Sequence, residues 1–262
     1  MDILSTSGGM NDGDRMSPLR IPRMIWQTSR TRVLTEEALG CRDLWLERSP
    51  GWAYRLMDDG EAREFVHDCY GGAVARTYDA FPLGVMRADF WRVLILHHSG
   101  GLYTDTDTDT APLAPPGEWL LPTDRLVLAA ENDMHLCNWT FAAEPGHPAL
   151  GHLIELIVKR AAEGIDTGYE HFVHRHSGPG IFTDGIRQWL GRPDAAPPGL
   201  VADCSAGRLS EGVRILEATA FNGRHVKHFF ASVSWPADYA SWRKEREALA
   251  ATLCGNAPEH NG

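Results

Sequence analysis

The sequence lacks several features that would point to whole classes of protein. No run of about 18 apolar residues occurs in the 262 residues, so the sequence predicts no membrane-spanning helix. The first twenty residues contain no apolar core of the kind found in signal peptides. The net charge is −10 and lysine and arginine form no block, so there is no electrostatic footprint for nucleic acid. From these absences we expect a cytoplasmic protein without a nucleic-acid partner.

Cysteine is scarce, and the common nucleotide-binding signatures are missing. The five cysteines are scattered and show no CxxC spacing, which argues against a disulfide framework or a zinc knuckle and favours a reducing compartment. Neither GxGxxG nor GxxxxGK[ST] occurs, so a dinucleotide oxidoreductase and a P-loop enzyme both lack their key residues. The chemistry has to be sought in other motifs.

Predicted strands and helices alternate along the chain without a repeat period. We therefore expect an α/β fold in one domain over residues 20–255, between a disordered leader at 1–19 and a flexible tail at 256–262. The first strand is predicted at Ile21 to Trp26, and the Pro- and Gly-rich stretch "GRPDAAPPGL" is predicted to be a loop.

The clearest predicted helix lies in "PLGVMRADFWRVLILHHSGG". Pro82 suits its start, and Gly100 follows its last apolar residues and suits its end. Asp89 and Arg92 are three residues apart and share one face of this helix. A surface ion pair of little energetic value is one interpretation. Because the helix is mostly apolar, a buried pair that grips sugar hydroxyls and phosphate oxygens is the other.

The stretch "GGLYTDTDTDT" places three aspartates, Asp105, Asp107 and Asp109, at every second position directly after this helix. If the segment is extended, the three carboxylates lie on one face, with neighbouring Cα atoms roughly 6–7 Å apart. That spacing makes it difficult for two neighbours to bind one Mg²⁺ or Mn²⁺ directly. We therefore expect one carboxylate to bind the metal ion and another to accept hydrogen bonds from substrate hydroxyls or metal-bound water.

Other interpretations of the aspartate repeat can be tested on the letters. An EF-hand loop starting at Asp105 requires Gly and Glu where this chain has Thr110 and Pro116, so that motif is excluded. "DTDT" fits the nucleophile motif of a haloacid-dehalogenase-type phosphatase with Asp105 as nucleophile, although no Asp-Asp pair follows it. A non-enzymatic metal- or carbohydrate-binding module is a further alternative.

Several ordered segments together resemble glycosyltransferase family 32, the DXD sugar transferases, and within it the Golgi α-1,6-mannosyltransferases that initiate outer chains. The segments are "IPRMIWQT", "WLERSPGWAYRLMDD", "RADFWRVLILHHSGGLYTDTDT", "GPGIFTDGI" and "HVKHFFASVSW". This resemblance implies a GT-A fold, in which a Rossmann-like nucleotide-binding mixed sheet is flanked by helices. It also implies transfer of a hexose, with retention, from a nucleotide-sugar such as GDP-mannose to a glycan or glycolipid acceptor.

The resemblance assigns roles to particular residues, with Mn²⁺ or Mg²⁺ as the cofactor. It implies donor contacts by Trp26, Asp89, Arg92, Gly101, Tyr103, Asp105, Ser234 and Trp235, metal binding by Asp107 and His228, and catalytic roles for Asp105 and Asp107. The metal ion would neutralise the diphosphate of the donor and assist its departure.

The sequence also departs from the family pattern. Ser29 stands where the family commonly has tryptophan, and extra residues separate His228 from Ser234. Asp109 is an additional acid that we expect to be solvated or to support the others. Unlike the Golgi relatives, the chain shows no N-terminal anchor, so we expect contact with the inner face of the membrane only through the acceptor.

A histidine cluster and one tryptophan complete the candidates. "HFVHRH" offers His171, His174 and His176, but no carboxylate or cysteine sits at ligand spacing, so we interpret it as a loop near the active site rather than a zinc site. Trp139 is a candidate for the cleft, where an aromatic ring can stack on a sugar.

Overall fold

A computed structural model of the chain describes residues 18–110, 115–229, 245–249 and 251–252. The predicted tail at 256–262, most of the predicted leader, and the candidate donor residues Ser234 and Trp235 lie outside the described residues. Their predicted roles stay predictions.

The described strands form a mixed sheet of six strands and a small sheet of two. The large sheet contains β1 (Met24–Ser29), β2 (Ala53–Asp58), β3 (Gly101–Thr104), β5 (Leu126–Ala129), β6 (Thr140–Ala143) and β7 (Val213–Leu216), and β4 (Thr108–Thr110) pairs antiparallel with β8 (Val226–His228). The order in the large sheet is β2-β1-β3-β6-β5-β7. β6 runs antiparallel to both its neighbours, whereas the other pairs are parallel.

Helices lie between the strands along the described chain. They are α1 (Glu36–Arg48), α2 (Asp59–Cys69), α3 (Gly72–Ala80), α4 (Gly84–Ser99), α5 (Pro116–Trp119), α6 (Pro148–Ala162), α7 (Phe172–His176), α8 (Pro179–Trp189) and α9 (Pro197–Ser205). A π-helical turn at Ala220–Arg224 precedes β8. The predicted mixed α/β architecture, a sheet flanked by helices, is confirmed.

Side-chain alternation along the strands divides the core between the two faces of the large sheet. Trp26 and Tyr103 point to the face covered by α4, α6 and α8, where they join a large apolar cluster. Their neighbours Ile25 and Leu102 point to the other face, where they pack with Trp45 of α1. Successive residues of a strand face opposite sides, so each strand serves both clusters.

Helix α4 passes directly into β3 through two glycines. Gly100 caps the helix with φ 65°, and Gly101 begins the strand with φ 111°. A Cβ atom on Gly101 would lie 2.6 Å from the carbonyl oxygen of Met24, so β3 fits closely beside β1 at this point. This junction fixes the start of the strand that leads to the aspartates.

Two local predictions need correction. The first strand begins at Met24, three residues later than predicted, because Ile21 and Pro22 lie before the segment that pairs with β2. The predicted Pro/Gly loop is partly helical, since its two adjacent prolines, Pro197 and Pro198, occupy the first turn of α9. Proline is tolerated there because the first N–H groups of a helix have no intrahelical acceptor.

Candidate active site

The aspartate repeat does not form one extended strand. A turn at residues 106–107 separates β3 from β4, so the condition of an extended segment from Asp105 to Asp109 is not met. Buried hydroxyls stabilise the turn: Thr104 Oγ1 lies 2.6 Å from Thr108 Oγ1 and 2.7 Å from Thr140 Oγ1, and Thr108 Oγ1 donates to the carbonyl oxygen of Asp105 at 2.6 Å. Threonine side chains that bond local backbone compete with the strand ladder.

The turn brings together side chains that a regular strand would hold apart. Ligand atoms of Asp105, Asp107 and His228 all lie within 4.8 Å of one another. His228 arrives through the small sheet, in which it is paired with Thr108. Its Nε2 lies 3.2 Å from Asp107 Oδ2. The sequence predicted both aspartates and this histidine, and the structure places all three at one point.

Arg92 of α4 is buried and joins two of the carboxylates. Its guanidinium lies 3.3 Å from Asp89 Oδ1 and 3.2 Å from Asp105 Oδ1, and Nη1 donates to the carbonyl oxygen of Asn138. Asp89 and Arg92 are each only 5% exposed, so the surface-pair interpretation is wrong and the pair is buried. Its contacts with sugar hydroxyls and phosphate oxygens stay a prediction. The arginine is thus fixed between the helix and the aspartate turn.

Asp89 is held from two further directions by residues that the sequence did not indicate. The side-chain amide of Asn138 donates to Oδ1 at 3.0 Å, and the Ser177 hydroxyl donates to Oδ2 at 3.2 Å. Burial raises the pKa of Asp89 to about 6, against the opposing effect of Arg92. These contacts span long sequence separations, so no local pattern announces them.

Asp105 is positioned through both its side chain and its backbone. The Tyr103 hydroxyl donates to Oδ1 at 2.5 Å, and Gln27 Nε2 donates to the carbonyl oxygen at 3.0 Å. Burial raises the pKa of this carboxyl group, and Arg92 acts against that rise. The carboxylate is therefore ordered before any ligand binds.

Three of the predicted donor-contact residues make contacts within the protein itself. Trp26 is buried and donates from its indole N–H to the carbonyl oxygen of Gly100. Gly101 lies against the backbone of Met24. Tyr103 is 1% exposed and carries the Arg92 guanidinium 4.7 Å from its ring centroid. Each of these residues supports β3 or the charged groups, and direct contact with a donor stays a prediction.

Asp109 is separated from the other two aspartates. It lies on β4, where Arg48 of α1 donates to Oδ1 at 2.9 Å and to Oδ2 at 3.0 Å. Arg48 also donates to the carbonyl oxygen of Thr110. The expectation of a solvated group is wrong, because this carboxylate fastens β4 to α1.

A cavity of about 320 Å³ opens above these charges. Asp89, Arg92 and Asp105 line it together with Trp139 and His228, whose rings lie 4.4 Å apart. Trp139 is thus in the cleft, as its sequence interpretation suggested. Glu170 and Arg246, which the sequence did not single out, also line this cavity.

Two histidines of the predicted cluster reach the cavity as well. His171 and His174 line it and stack on each other at 5.8 Å between ring centroids, whereas His176 is buried. Among the described residues, the side chains grouped closely enough to hold a metal ion are those of Asp105, Asp107 and His228, and they include none of these three histidines. The segment therefore lies beside the candidate active site, and part of it forms the short helix α7 rather than a loop.

The part of the chain that contains most of these residues matches a known protein family. Residues 35–125, which include Asp89, Arg92, Asp105 and Asp107, match the family described as "Glycosyltransferase sugar-binding region containing DXD motif". The initiation-specific alpha-1,6-mannosyltransferase of Schizosaccharomyces pombe is 30% identical over 260 residues, which cover 83% of this chain and 64% of that protein. The resemblance to the DXD glycosyltransferases of family 32 is thus confirmed.

Two further similar proteins are also named as mannosyltransferases. The initiation-specific alpha-1,6-mannosyltransferase of Candida albicans is 26% identical over 64% of this chain and 53% of its own length. Inositol phosphoceramide mannosyltransferase 3 of Schizosaccharomyces pombe is 34% identical over 33% of this chain and 24% of its own length. The chain thus spans about half to two thirds of the first two relatives and a quarter of the third.

A solved structure supports the fold assignment. The PaToxG glycosyltransferase superposes with a TM-score of 0.53 over 65% of this chain and 70% of its own length, at 17% identity. This likeness confirms the predicted GT-A-type architecture. Among the described residues, no helix combines the length and the apolar character needed to cross a membrane.

Proposed function

We propose that this protein transfers a hexose from a nucleotide diphosphate donor to a hydroxyl group of an acceptor, with retention of configuration. The observation that carries the proposal is the convergence of Asp105, Asp107 and His228 within 4.8 Å beside the buried Asp89–Arg92 pair. A sugar presents hydroxyls and a diphosphate presents negative charge, so one donor molecule uses both halves of this arrangement.

The side chains present fit a divalent metal ion. Two carboxylates and an imidazole suit Mn²⁺, and carboxylates alone suit Mg²⁺. The charges at the site agree with a cation, because three carboxylates, of Asp89, Asp105 and Asp107, stand around one described guanidinium, that of Arg92. When bound, the ion neutralises the diphosphate and assists its departure as a Lewis acid.

The protein's own groups divide the work of holding the donor. Asp89, fixed by Asn138 and Ser177, keeps an acceptor oxygen for a sugar hydroxyl at the wall of the cavity. Asp105 accepts a hydrogen bond from Tyr103 and links this wall to the candidate metal ligands Asp107 and His228. Such preorganised groups need little reorganisation when the donor binds.

Arg246 is the additional residue that we assign to the donor. It lines the same cavity as Asp105 and His228, and Arg92 is already engaged with two carboxylates. A second guanidinium is suited to bidentate hydrogen bonds with phosphate oxygens. The neighbouring Glu245 accepts a hydrogen bond from the Gly84 N–H at the start of α4, so this segment is anchored beside the cavity.

The names of the relatives support the sugar and the acceptor, and the choice of GDP rests on the family resemblance alone. The relatives' names describe mannosyltransferases, two for initiation of glycan chains and one for inositol phosphoceramide. We therefore propose mannose from GDP-mannose as the donor and a glycan or glycolipid as the acceptor. Contact with a membrane would then occur through a lipid-borne acceptor.

The test is donor turnover with a matched pair of aspartate variants. The purified protein is incubated with Mn²⁺ and a panel of nucleotide-sugars, and released nucleoside diphosphate is measured. We expect release from GDP-mannose, loss with EDTA, and a decrease of about 100-fold or more in Asp107→Asn. Asp109→Asn is the control, because Asp109 belongs to the same repeat but is bound to Arg48 away from the cavity.

If the enzyme releases no nucleoside diphosphate without its acceptor, binding of GDP is measured instead. GDP with Mn²⁺ at about 100 times Kd should stabilise the protein by roughly 2.7 kcal/mol, and this gain should vanish in Asp107→Asn. Absence of both turnover and stabilisation with every nucleotide tested would contradict the proposal. A phosphoenzyme trapped by beryllofluoride on Asp105 would instead favour the phosphatase alternative, which the family match disfavours.

A further inference from the structure

A second concave surface adjoins the donor cavity. We call it the groove; it has a volume of about 420 Å³, and its lining includes His135, Arg160, Tyr169, His171, His174 and Arg175. His171 and His174 line the cavity and the groove alike. A molecule that lies in the groove can therefore extend past these two rings toward Asp105.

Two guanidinium groups, of Arg160 and Arg175, and one carboxylate, of Asp184, line the groove, so its balance is positive on a protein whose net charge is −10. Arg160 is partly engaged, because Nη1 donates to the carbonyl oxygen of Arg175 at 2.9 Å and the guanidinium lies 3.4 Å from Asp184 Oδ2. Arg175 forms no ion pair with any described carboxylate, and its guanidinium lies 5.9 Å from the Tyr169 ring centroid. The groove therefore holds one guanidinium that is available to an anion.

Further N–H donors stand beside this guanidinium. His174 lies between His135 and His171, at 5.6 Å and 5.8 Å between ring centroids. Neutral imidazole provides one N–H donor per ring, and arginine provides a planar fork of donors. A tetrahedral phosphate ester, with several acceptor oxygens, matches such a set better than a neutral sugar does.

Two large side chains with apolar surface also line the groove. Met134 is 66% exposed and Tyr169 is 44% exposed. Large apolar side chains at such exposure are suited to contact the carbon skeleton of a ligand. The groove can thus contact an anionic group and hydrocarbon of one molecule.

We propose that the groove binds the acceptor and that the acceptor carries a phosphate ester close to the hydroxyl that receives the sugar. This inference rests on the proposed function, since it assigns the second substrate of the same reaction. The phosphate is recognised by Arg175, with Arg160 and the histidines around it. The hydroxyl-bearing part extends past His171 and His174 into the donor cavity. The phosphate belongs either to a soluble polyol phosphate or to a lipid headgroup.

The test compares a charged probe with its uncharged parent. Binding of myo-inositol 1-phosphate and of myo-inositol is measured by calorimetry with Mn²⁺ and saturating GDP, so that the donor cavity is filled. We expect binding of the phosphate only, weakened roughly 10-fold to 100-fold in Arg175→Gln. Arg76→Gln is the matched control, because Arg76 is exposed on α3 and lines neither surface.

A vesicle arm distinguishes the two sources of phosphate. Phosphatidylcholine vesicles with and without phosphatidylinositol are tested on the same variants. Arg175-dependent binding of the vesicles but not of the soluble probe assigns the site to a lipid headgroup, and the reverse assigns it to a free phosphate. Equal affinity for myo-inositol and its phosphate, no binding of either phosphate source, or affinity unchanged in Arg175→Gln overturns the proposal.

Donor turnover is measured in parallel, so that a failure of this inference can be distinguished from a failure of the proposed transferase function. Turnover without Arg175-dependent phosphate binding leaves the transferase in place and removes the phosphate-bearing acceptor. Arg175-dependent binding without turnover or GDP binding leaves an anion site and removes the transferase. Circular dichroism of each variant confirms that the fold is retained.

Discussion

The donor cavity and the groove beside it balance their charges in different ways. At the cavity, Arg92 and Asp89 are 5% exposed and each is held by several fixed partners. In the groove, Arg175 is exposed and has no carboxylate partner among the described residues. The cavity is therefore preorganised at a cost in desolvation, whereas the groove keeps solvated cations that a ligand can order.

Stability should be most sensitive to the buried cation. Arg92→Met leaves Asp89 and Asp105 in a desolvated site without their shared guanidinium, and we expect a loss of roughly 3–5 kcal/mol in the free energy of unfolding. Urea denaturation at neutral pH measures it. Arg92→Lys, which keeps the charge but has no planar fork, should recover only part of the loss. A loss below about 1 kcal/mol would contradict the assignment of a shared buried cation.

The pH dependence should report Asp89. Its pKa in the folded protein is about 6, above its ordinary value of 3.8, so its contribution to stability is complete below pH 3.8 and is lost as the pH rises through 6. Relative to wild type, Asp89→Asn should therefore gain stability between pH 4 and 7, on the order of 3 kcal/mol. Wild-type donor turnover should fall below about pH 6, as the carboxylate protonates. Unfolding curves that stay parallel over this pH range would rule out the raised pKa.

The hydroxyl that orients Asp105 should matter less than the charges. Tyr103→Phe removes the 2.5 Å hydrogen bond to Oδ1, and we expect a loss of roughly 1–2 kcal/mol in stability and a higher Mn²⁺ concentration for half-maximal turnover. Tyr70→Phe is the control, because it removes a hydrogen bond to the Leu94 carbonyl oxygen away from the site. The same Mn²⁺ dependence in both variants would assign Tyr103 a purely structural role.

The groove should give the smallest effect on stability. Arg175→Gln changes an exposed side chain without an ion pair, so we expect a change within about 0.5 kcal/mol. Thermal unfolding beside Arg92→Met measures the contrast directly. A loss comparable with that of Arg92→Met would mean that the two regions do not differ as proposed.

Much of the scaffold was predictable because its signals are local. Helix α4 could be placed from Pro82, its apolar repeat and Gly100. The same helix placed Asp89 and Arg92 on one face. The first strand, β1, overlaps the predicted apolar run Ile21 to Trp26.

The turn in the aspartate repeat was beyond sequence reasoning. Alternating threonine and aspartate is compatible with an extended strand. The reversal is favoured by hydroxyl contacts that form in the folded protein, among them those of Thr104 with Thr108 and Thr140. Asn138 and Ser177 likewise reach Asp89 from segments 49 and 88 residues away. Long-range contacts of this kind depend on the packed fold and leave no periodic trace.

The buried threonine hydroxyls have one further consequence, because each hydroxyl donates only one proton. The Thr108 hydroxyl donates to the carbonyl oxygen of Asp105. In the contact between Thr108 and Thr104, the donor must therefore be Thr104. The contact between Thr104 and Thr140 must then receive its proton from Thr140. The hydroxyls form a directed relay that ends at Asp105, and its links polarise one another. Valine at any one position removes at least one link and weakens the links that remain, so two such substitutions should cost less together than the sum of their separate effects.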